Sequence, residues 1–546
     1  MKPAEKVLKA IWPLAYEEQE TEQRYTLTVS PAADADLSLR QEGEEGLIEI
    51  SAAFPFDFQK QDLLFLNGYQ SWTYSPERTL KEFDRSMKYC PKSLDFRFGF
   101  SRYGDDHFVP RPSKKELKGG YRKGYSYAYV RRGDEYYLFA SLAEDTGFTR
   151  IIFMTGESKI VFKKDCHHRA LQKDERYLAL DLFFAHGTEQ EVFDLWFEAL
   201  HVEPVCRSKK TGYTSWYNYY QNISEPLIIR DLEGMHNLQK RPDIFQIDDG
   251  FETFVGDWFD VDPVKFPNGL EHIARQIVAD GFQAGLWLSP FVCEKKSKLF
   301  AEHPDWLQRK NGEPVFTGGN WSGAYALDPY HPEVRDYIRS VVDHYKKMGF
   351  SLFKLDFLYG ACMTSRPNKT RGEIMSDAMS FLRDVCGDAH ILACGVPLAS
   401  AFGKVDYCRI GPDVSLRFND VLFMRLFHNE RPSTMHTQRN TVYRRQLNGR
   451  AFQNDPDVFL LRDENISLNQ EQKRTLAVIN ALLGSLLFTS DNYGTYNQET
   501  YSFFEYLCSL QRAENVRLTT KRQGHGHHMD VSFELDGQVQ TMSLDF

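Results

Sequence analysis

The stretch Ser351-Leu352-Phe353-Lys354-Leu355-Asp356-Phe357 closes an apolar run with an ammonium and a carboxylate two residues apart. Side chains at i and i+2 of a strand share a face, so Lys354 and Asp356 project together. A cation beside a carboxylate favours its ionised form. Such a group can attack a carbon that is becoming positive, as the anomeric carbon of a sugar does. A second acid, Asp413, ends another strand-like run over 405–412. Two carboxylates on separate strand ends, one of them beside a lysine, point to glycosidic bond cleavage.

Residues so far apart need a scaffold that gathers strand ends. From Tyr213 onward, short apolar runs at 244–247, 283–288, 351–355 and 390–394 alternate with helical patterns such as 270–280 and 332–348. This alternation predicts a (β/α)8 TIM barrel, whose active sites lie at the C-terminal strand ends. The acids gather there: Asp248-Asp249, Asp356, Asp413, Asp455-Pro456-Asp457 and Asp491. A doubly wound open sheet is the competing architecture. It would announce a Gly-rich phosphate loop after its first strand, and none follows Tyr213-Thr214-Ser215-Trp216.

Upstream, residues 21 to 185 carry many short alternating or aromatic runs, which predict a β-sandwich. A helix-like segment at 189–201 then leads to the basic, turn-prone stretch 207–212. Beyond 495 come one aromatic helix and further alternating strands. The expected multidomain organisation is an N-terminal β-sandwich domain at 1–205, the catalytic barrel at 206–495 and a small C-terminal β-rich domain at 496–546.

The formal charge of −10 argues against nucleic acid or an anionic membrane surface as the main partner. No apolar run reaches the ~20 residues of a membrane span. The first ten residues interrupt any apolar run with charge, so the default expectation is cytoplasmic. Nine cysteines without a CxxC pair read as reduced thiols rather than a disulfide framework. Cys166-His167-His168 and His525-Gly526-His527-His528 have no partner ligands at zinc spacing, so no metal is expected. The aromatic content of 14% fits sugar stacking, but it fits filled β-rich cores better.

Six motifs in order sharpen the picture. They are Phe245-Gln246-Ile247-Asp248-Asp249-Gly250, Val255-Gly256-Asp257-Trp258, Gly285 to Phe291, Phe353 to Leu358, Cys394 to Leu398 and Arg409 to Asp413. Together with Asn67-Gly68-Tyr69-Gln70-Ser71-Trp72, this series resembles the α-galactosidases of glycoside hydrolase family 36, in their shorter bacterial form. The resemblance implies a retaining exo-acting enzyme with no cofactor and a small galactoside as its partner. Asp356 matches the nucleophile and Asp413 the acid/base. Asp248 and Asp249 match the acceptors of the sugar's 4- and 6-hydroxyls, and Trp216 and Trp287 the apolar walls. Lys354, whose charge keeps Asp356 ionised, is counted with the substrate-binding residues, while Cys394 and Gly395 match the surface beside the 2-hydroxyl. Arg409 resembles an arginine bonded to the sugar or the acid/base, and Trp72 a cap carried in from the first domain.

Two departures bear on the rim. Phe357-Leu358-Tyr359-Gly360 stands where longer relatives carry methionine-asparagine-arginine, and Asn320-Trp321 stands where an arginine is common. The chemistry needs Asp413 to begin protonated, which the negative Asp356 favours until the sugar esterifies it. Rival readings keep the site and change the outcome: an α-N-acetylgalactosaminidase, a galactosyl-transferring enzyme, or a carbohydrate-binding protein with an inactive barrel. A rival of another class makes Lys354 the Schiff-base lysine of a lyase. The nucleophile assignment predicts that Asp356→Gly loses hydrolysis and that azide restores cleavage, giving a galactosyl azide of inverted configuration. Hydrolysis surviving in Asp356→Gly would exclude it.

Overall fold

The computed structural model describes residues 2–38, 46–82, 93–94, 100–104, 107–109, 112–236, 238–419, 430–524 and 526–546. Cys90 and His525 of the sequence reading lie outside them. Within residues 5–187, two antiparallel sheets of five and seven strands face each other. Their strands alternate as a sandwich requires: Lys159–Lys164 and Arg24–Pro31 bury every second residue. The space between the sheets is filled largely by rings. Phe54 meets Phe162 edge-on at 5.6 Å and Phe184 at 5.1 Å. Much of the aromatic content is therefore core.

The central sheet is a closed parallel barrel of eight staves: β1 Lys210–Thr214, β2 Ile244–Ile247, β3 Gln283–Leu288, β4 Phe350–Leu355, β5 His390–Ala393, β6 Tyr407–Arg409, β7 and β8 Leu486–Thr489. The seventh stave, β7, is split into Gln453–Asp455, which pairs with β6, and Val458–Phe459, which pairs with β8. β8 pairs with β1 and closes the ring. β2, β7 and β8 are buried on both faces, which is why the staves read as short apolar runs rather than alternating ones.

Helices follow seven of the staves, but only a 3-10 turn, Leu398–Ala401, follows β5. Helix Glu189–Leu200 of the sandwich region packs there instead, with Phe402 lying 6.0 Å from Trp196 and 5.5 Å from Phe197. Helix Gln498–Leu510, on the far side of the expected boundary at 495, sets Phe504 against Tyr493 of the barrel at 5.1 Å. Strands Glu514–Gln523, Gly526–Leu535 and Gln538–Asp545 form the terminal sheet. Among the described residues, no helix is long and apolar enough to cross a membrane.

One loop of the sandwich region, residues 67–75, reaches the C-terminal end of the barrel. Arg444 holds it there, fully buried and, among the described residues, with no carboxylate as a hydrogen-bond partner. Its Nε donates to Asn67 Oδ1 at 3.0 Å and Nη2 to Ser75 Oγ at 2.8 Å, while Nη1 donates to the carbonyls of Ser71 at 2.6 Å and Ile410 at 2.8 Å. Asn440 adds bonds to Ser75 N–H, Thr73 O and the same Ile410 O. Burial pulls the guanidinium down to about 10. Arg444→Ala strands several buried acceptors at once, so it should lower unfolding stability by about 3 kcal/mol or more. Denaturant titration checks this, and a loss under about 1 kcal/mol would mean the clamp contributes little.

Candidate active site

A cavity of about 410 Å³ opens at the C-terminal ends of the staves. Asp248 and Asp249 enter it just past β2, Trp287 from β3, and Lys354 and Asp356 from the end of β4. Asp413 comes from the loop four residues beyond β6, and Trp72 from the clamped sandwich loop. Trp216 also lines it, but from the start of the short helix Trp216–Tyr219 and not from a strand as expected. Cys394, Gly395 and Arg409 stand behind the lining rather than in it.

Asp356 is held at both oxygens. Trp287 Nε1 donates to Oδ2 at 3.1 Å, and the N–H of Phe357 donates to Oδ1 at 2.8 Å. The second bond depends on a left-handed backbone at Phe357, φ 52°, a conformation unfavourable for a bulky residue. Lys354 does not bond to Asp356 as the strand spacing suggested. Its Nζ turns to Asp248 Oδ2 at 2.8 Å and acts on Asp356 through space. Burial raises the Asp356 carboxyl above its ordinary range, with the Lys354 charge and the Trp287 hydrogen bond pulling it back and Asp413 adding to the rise. Lys354 has the opposite balance. Burial would discharge it, but Asp248 and Asp356 outweigh that and hold the ammonium firmly charged.

Asp248 Oδ2 also accepts from Gln246 Nε2 at 2.7 Å and Thr214 Oγ1 at 3.2 Å. Asp249 Oδ2 accepts from Trp321 Nε1 at 2.9 Å, so a tryptophan occupies the place where the resemblance leads one to expect an arginine. Glu252 is buried beside Asp249, and its Oε2 accepts from Gly250 N–H at 3.3 Å. Burial and the Asp249 charge keep the Glu252 carboxyl far above its usual range, which favours its neutral form.

Asp413 Oδ1 accepts from Arg409 Nη1 at 2.9 Å, and its side chain is 35% exposed. Arg409 also binds Asp455 and Asp457. Trp72 Nε1 donates to Cys394 Sγ at 3.1 Å. Gly395 takes φ 60°, and a Cβ there would sit 3.0 Å from the Trp72 ring. Tyr69 leaves the site: its hydroxyl meets Arg371 and Cys362. Asp491 likewise serves structure, accepting from Leu461 N–H and pairing with Arg462.

Tyr103, Gln221, Asn320, Trp321, Phe357 and Glu430 also line the cavity. Of these, Asn320, Trp321 and Phe357 had a signal in the departures noted above. The others come from loops with no motif. Among the described residues, no three His, Cys, Asp or Glu side chains form a metal-binding group.

A melibiase family model matches residues 243–374. Alpha-galactosidase 2 of Pediococcus pentosaceus is 34% identical over 132 residues, 23% of this chain and 17% of that protein. Alpha-galactosidase AgaA of Geobacillus stearothermophilus is 36% identical over 90 residues, 16% of this chain and 12% of that protein. The chain therefore aligns with less than a fifth of the length of these curated relatives. Among solved structures, TtGalA, the alpha-galactosidase from Thermus thermophilus in complex with p-nitrophenyl alpha-D-galactopyranoside, superposes with a TM-score of 0.71 at 25% identity, covering 96% of this chain and 98% of that one. The GH36 alpha-galactosidase AgaA structure shares the fold at a TM-score of 0.57 and 12% identity, covering 94% of this chain and 70% of that one.

If Asp356 is the attacking carboxylate that the resemblance implies, it must be deprotonated to act, and burial raises it. The acid limb of kcat/KM should therefore lie above the ~3.9 of a free aspartate. Lys354→Met removes an opposing charge, so it should move that limb about one to three pH units further toward alkali. A pH–rate profile measures both; a limb unaffected by Lys354→Met would show that the ammonium does not act on Asp356.

Proposed function

We propose that this chain, a relative of the glycoside hydrolase family 36 α-galactosidases, is a retaining exo-α-galactosidase acting on small galactosides. One observation carries the reading: Asp356 and Asp413 line a single cavity with the Asp248–Asp249 pair and four tryptophans, Trp72, Trp216, Trp287 and Trp321. The nearly full-length likeness to the Thermus enzyme, also solved with stachyose, supports galactosides as the substrate class.

In the proposed reaction Asp356, with both oxygens oriented, attacks the anomeric carbon while Asp413 gives its proton to the departing oxygen. A galactosyl–Asp356 ester forms and the aglycone leaves. Asp413 then takes a proton from water, whose oxygen displaces Asp356 on the same face that the aglycone left. Asp248 and Asp249 accept hydrogen bonds from hydroxyls of the sugar, and the charged Lys354 holds Asp248 in place for this. The eight described cysteines are all free thiols, which supports a reducing, cytoplasmic setting.

Two rivals lose ground to the geometry. A Schiff-base lysine must shed its proton to attack a carbonyl, whereas Lys354 is held charged against Asp248. An N-acetyl group needs space beside Cys394, and the Trp72 indole fills it. Proton NMR of p-nitrophenyl α-galactoside hydrolysis should show α-galactose as the first product. The corresponding N-acetylgalactosaminide should react at least about 100-fold more slowly. First-formed β-galactose would exclude retention, and comparable rates on both glycosides would exclude Trp72 as the barrier.

A further inference from the structure

The split in β7 has a local cause and a consequence for the site. Pro456 and Asp457 interrupt the stave, and Asp457 adopts a left-handed backbone, φ 73°, with its N–H donating to Asp455 Oδ1 at 2.8 Å. Two carboxylates of one stave thereby meet the same guanidinium. Asp455 Oδ2 accepts from Arg409 Nε at 2.9 Å, and Asp457 Oδ1 lies 2.8 Å from Nη2 as an ion pair without hydrogen-bond alignment. The remaining branch, Nη1, goes to Asp413. Asp457 Oδ2 accepts from the Tyr217 hydroxyl and from Val414 N–H at 2.7 Å.

One buried arginine thus serves three acids. Two of them are almost wholly buried, while Asp413 faces the cavity. Were the guanidinium committed to Asp413 alone, it would hold that group as a carboxylate. No proton would then be ready for the leaving oxygen. On the α-galactosidase reading above, we propose that Asp457 is a positioning residue for the acid/base. With Asp455 it competes with Asp413 for Arg409, so that Asp413 keeps its proton until the glycosidic oxygen takes it. After that transfer, Arg409 Nη1 is in place to bond the new carboxylate, and the esterified Asp356 no longer repels it. Burial pushes the Asp457 carboxyl up to about 7 against the pull of Arg409, with Asp413 and Asp455 adding to the rise and the Tyr217 hydroxyl opposing it.

Asp457→Asn keeps the shape and removes the competing charge. The alkaline limb of kcat/KM for melibiose should move about one pH unit toward acid, a fall of about tenfold above the limb. For 2,4-dinitrophenyl α-galactoside, whose leaving group needs no proton, the fall should be about fivefold smaller. Tyr217→Phe withdraws a donor that favours the charged Asp457, so it should shift the limb the same way by less. The double variant should then shift it no further than Asp457→Asn alone. An active enzyme whose limb stays put in both variants, with equal losses on the two substrates, overturns the role of Asp457 alone. A wild-type chain that cleaves neither galactoside takes the α-galactosidase reading down with it.

Discussion

Seven carboxyl groups, Asp248, Asp249, Glu252, Asp356, Asp413, Asp455 and Asp457, gather around two cations, Lys354 and Arg409. Two like charges 4 Å apart repel by about 4 kcal/mol at an effective dielectric of 20. Seven carboxylates in one buried place would not be tolerated, so the site must distribute protons and cations among them. It does so in two clusters. On one side Lys354 pairs with Asp248, while burial and the Asp249 charge favour a neutral Glu252. On the other, Arg409 is divided among Asp413, Asp455 and Asp457, with Asp457 raised far enough to share a proton near neutrality. Asp356 stands between the clusters, bonded to neither cation.

The fold makes this crowding possible. A closed parallel barrel converges strand ends, so residues more than a hundred positions apart in the chain reach one cavity. Local departures from regularity then aim them. Phe357, Trp321 and Asp457 are all non-glycine residues at positive φ near the site, and each directs a hydrogen bond toward one of its acids. Such strain persists only when the surroundings enforce it. The clamp of Arg444 and Asn440 is part of that enforcement, because both residues grip the loop carrying Trp72 and the Ile410 carbonyl, three residues before Asp413.

Stave order, the sandwich and the principal acids were legible because they rest on short-range signals. Buried parallel strands must be apolar, and acids just beyond them stand out in the sequence. What stayed hidden depends on direction and distance. The spacing of Lys354 and Asp356 placed both on one face but could not say that a nearer carboxylate, Asp248, would capture the ammonium. Glu252 lies three residues after Asp249, yet nothing in sequence separates a buried neutral glutamate from a solvated one. Tyr103 and Glu430 arrive on loops set by tertiary packing, and the missing helix after β5 is filled by Glu189–Leu200 from another region altogether.

On the proposed reading, in which Asp356 attacks the sugar, the partner chosen by Lys354 changes how that carboxylate works. Had the ammonium bonded Asp356 directly, it would have held one oxygen in a charge-assisted hydrogen bond, among the strongest a side chain makes. Attack would then require loosening that bond while negative charge moved toward the sugar. Lys354 instead spends its hydrogen bond on Asp248, a residue with no bond to form, and reaches Asp356 only through its field. The oxygens of Asp356 are steadied by an indole and a backbone N–H, donors that carry no formal charge. Burial without a contact cation raises the carboxyl and makes its charge more reactive, at the cost of an acid limb at higher pH. If Asp356 forms and breaks an ester in each cycle, as proposed, it is better served by this looser hold.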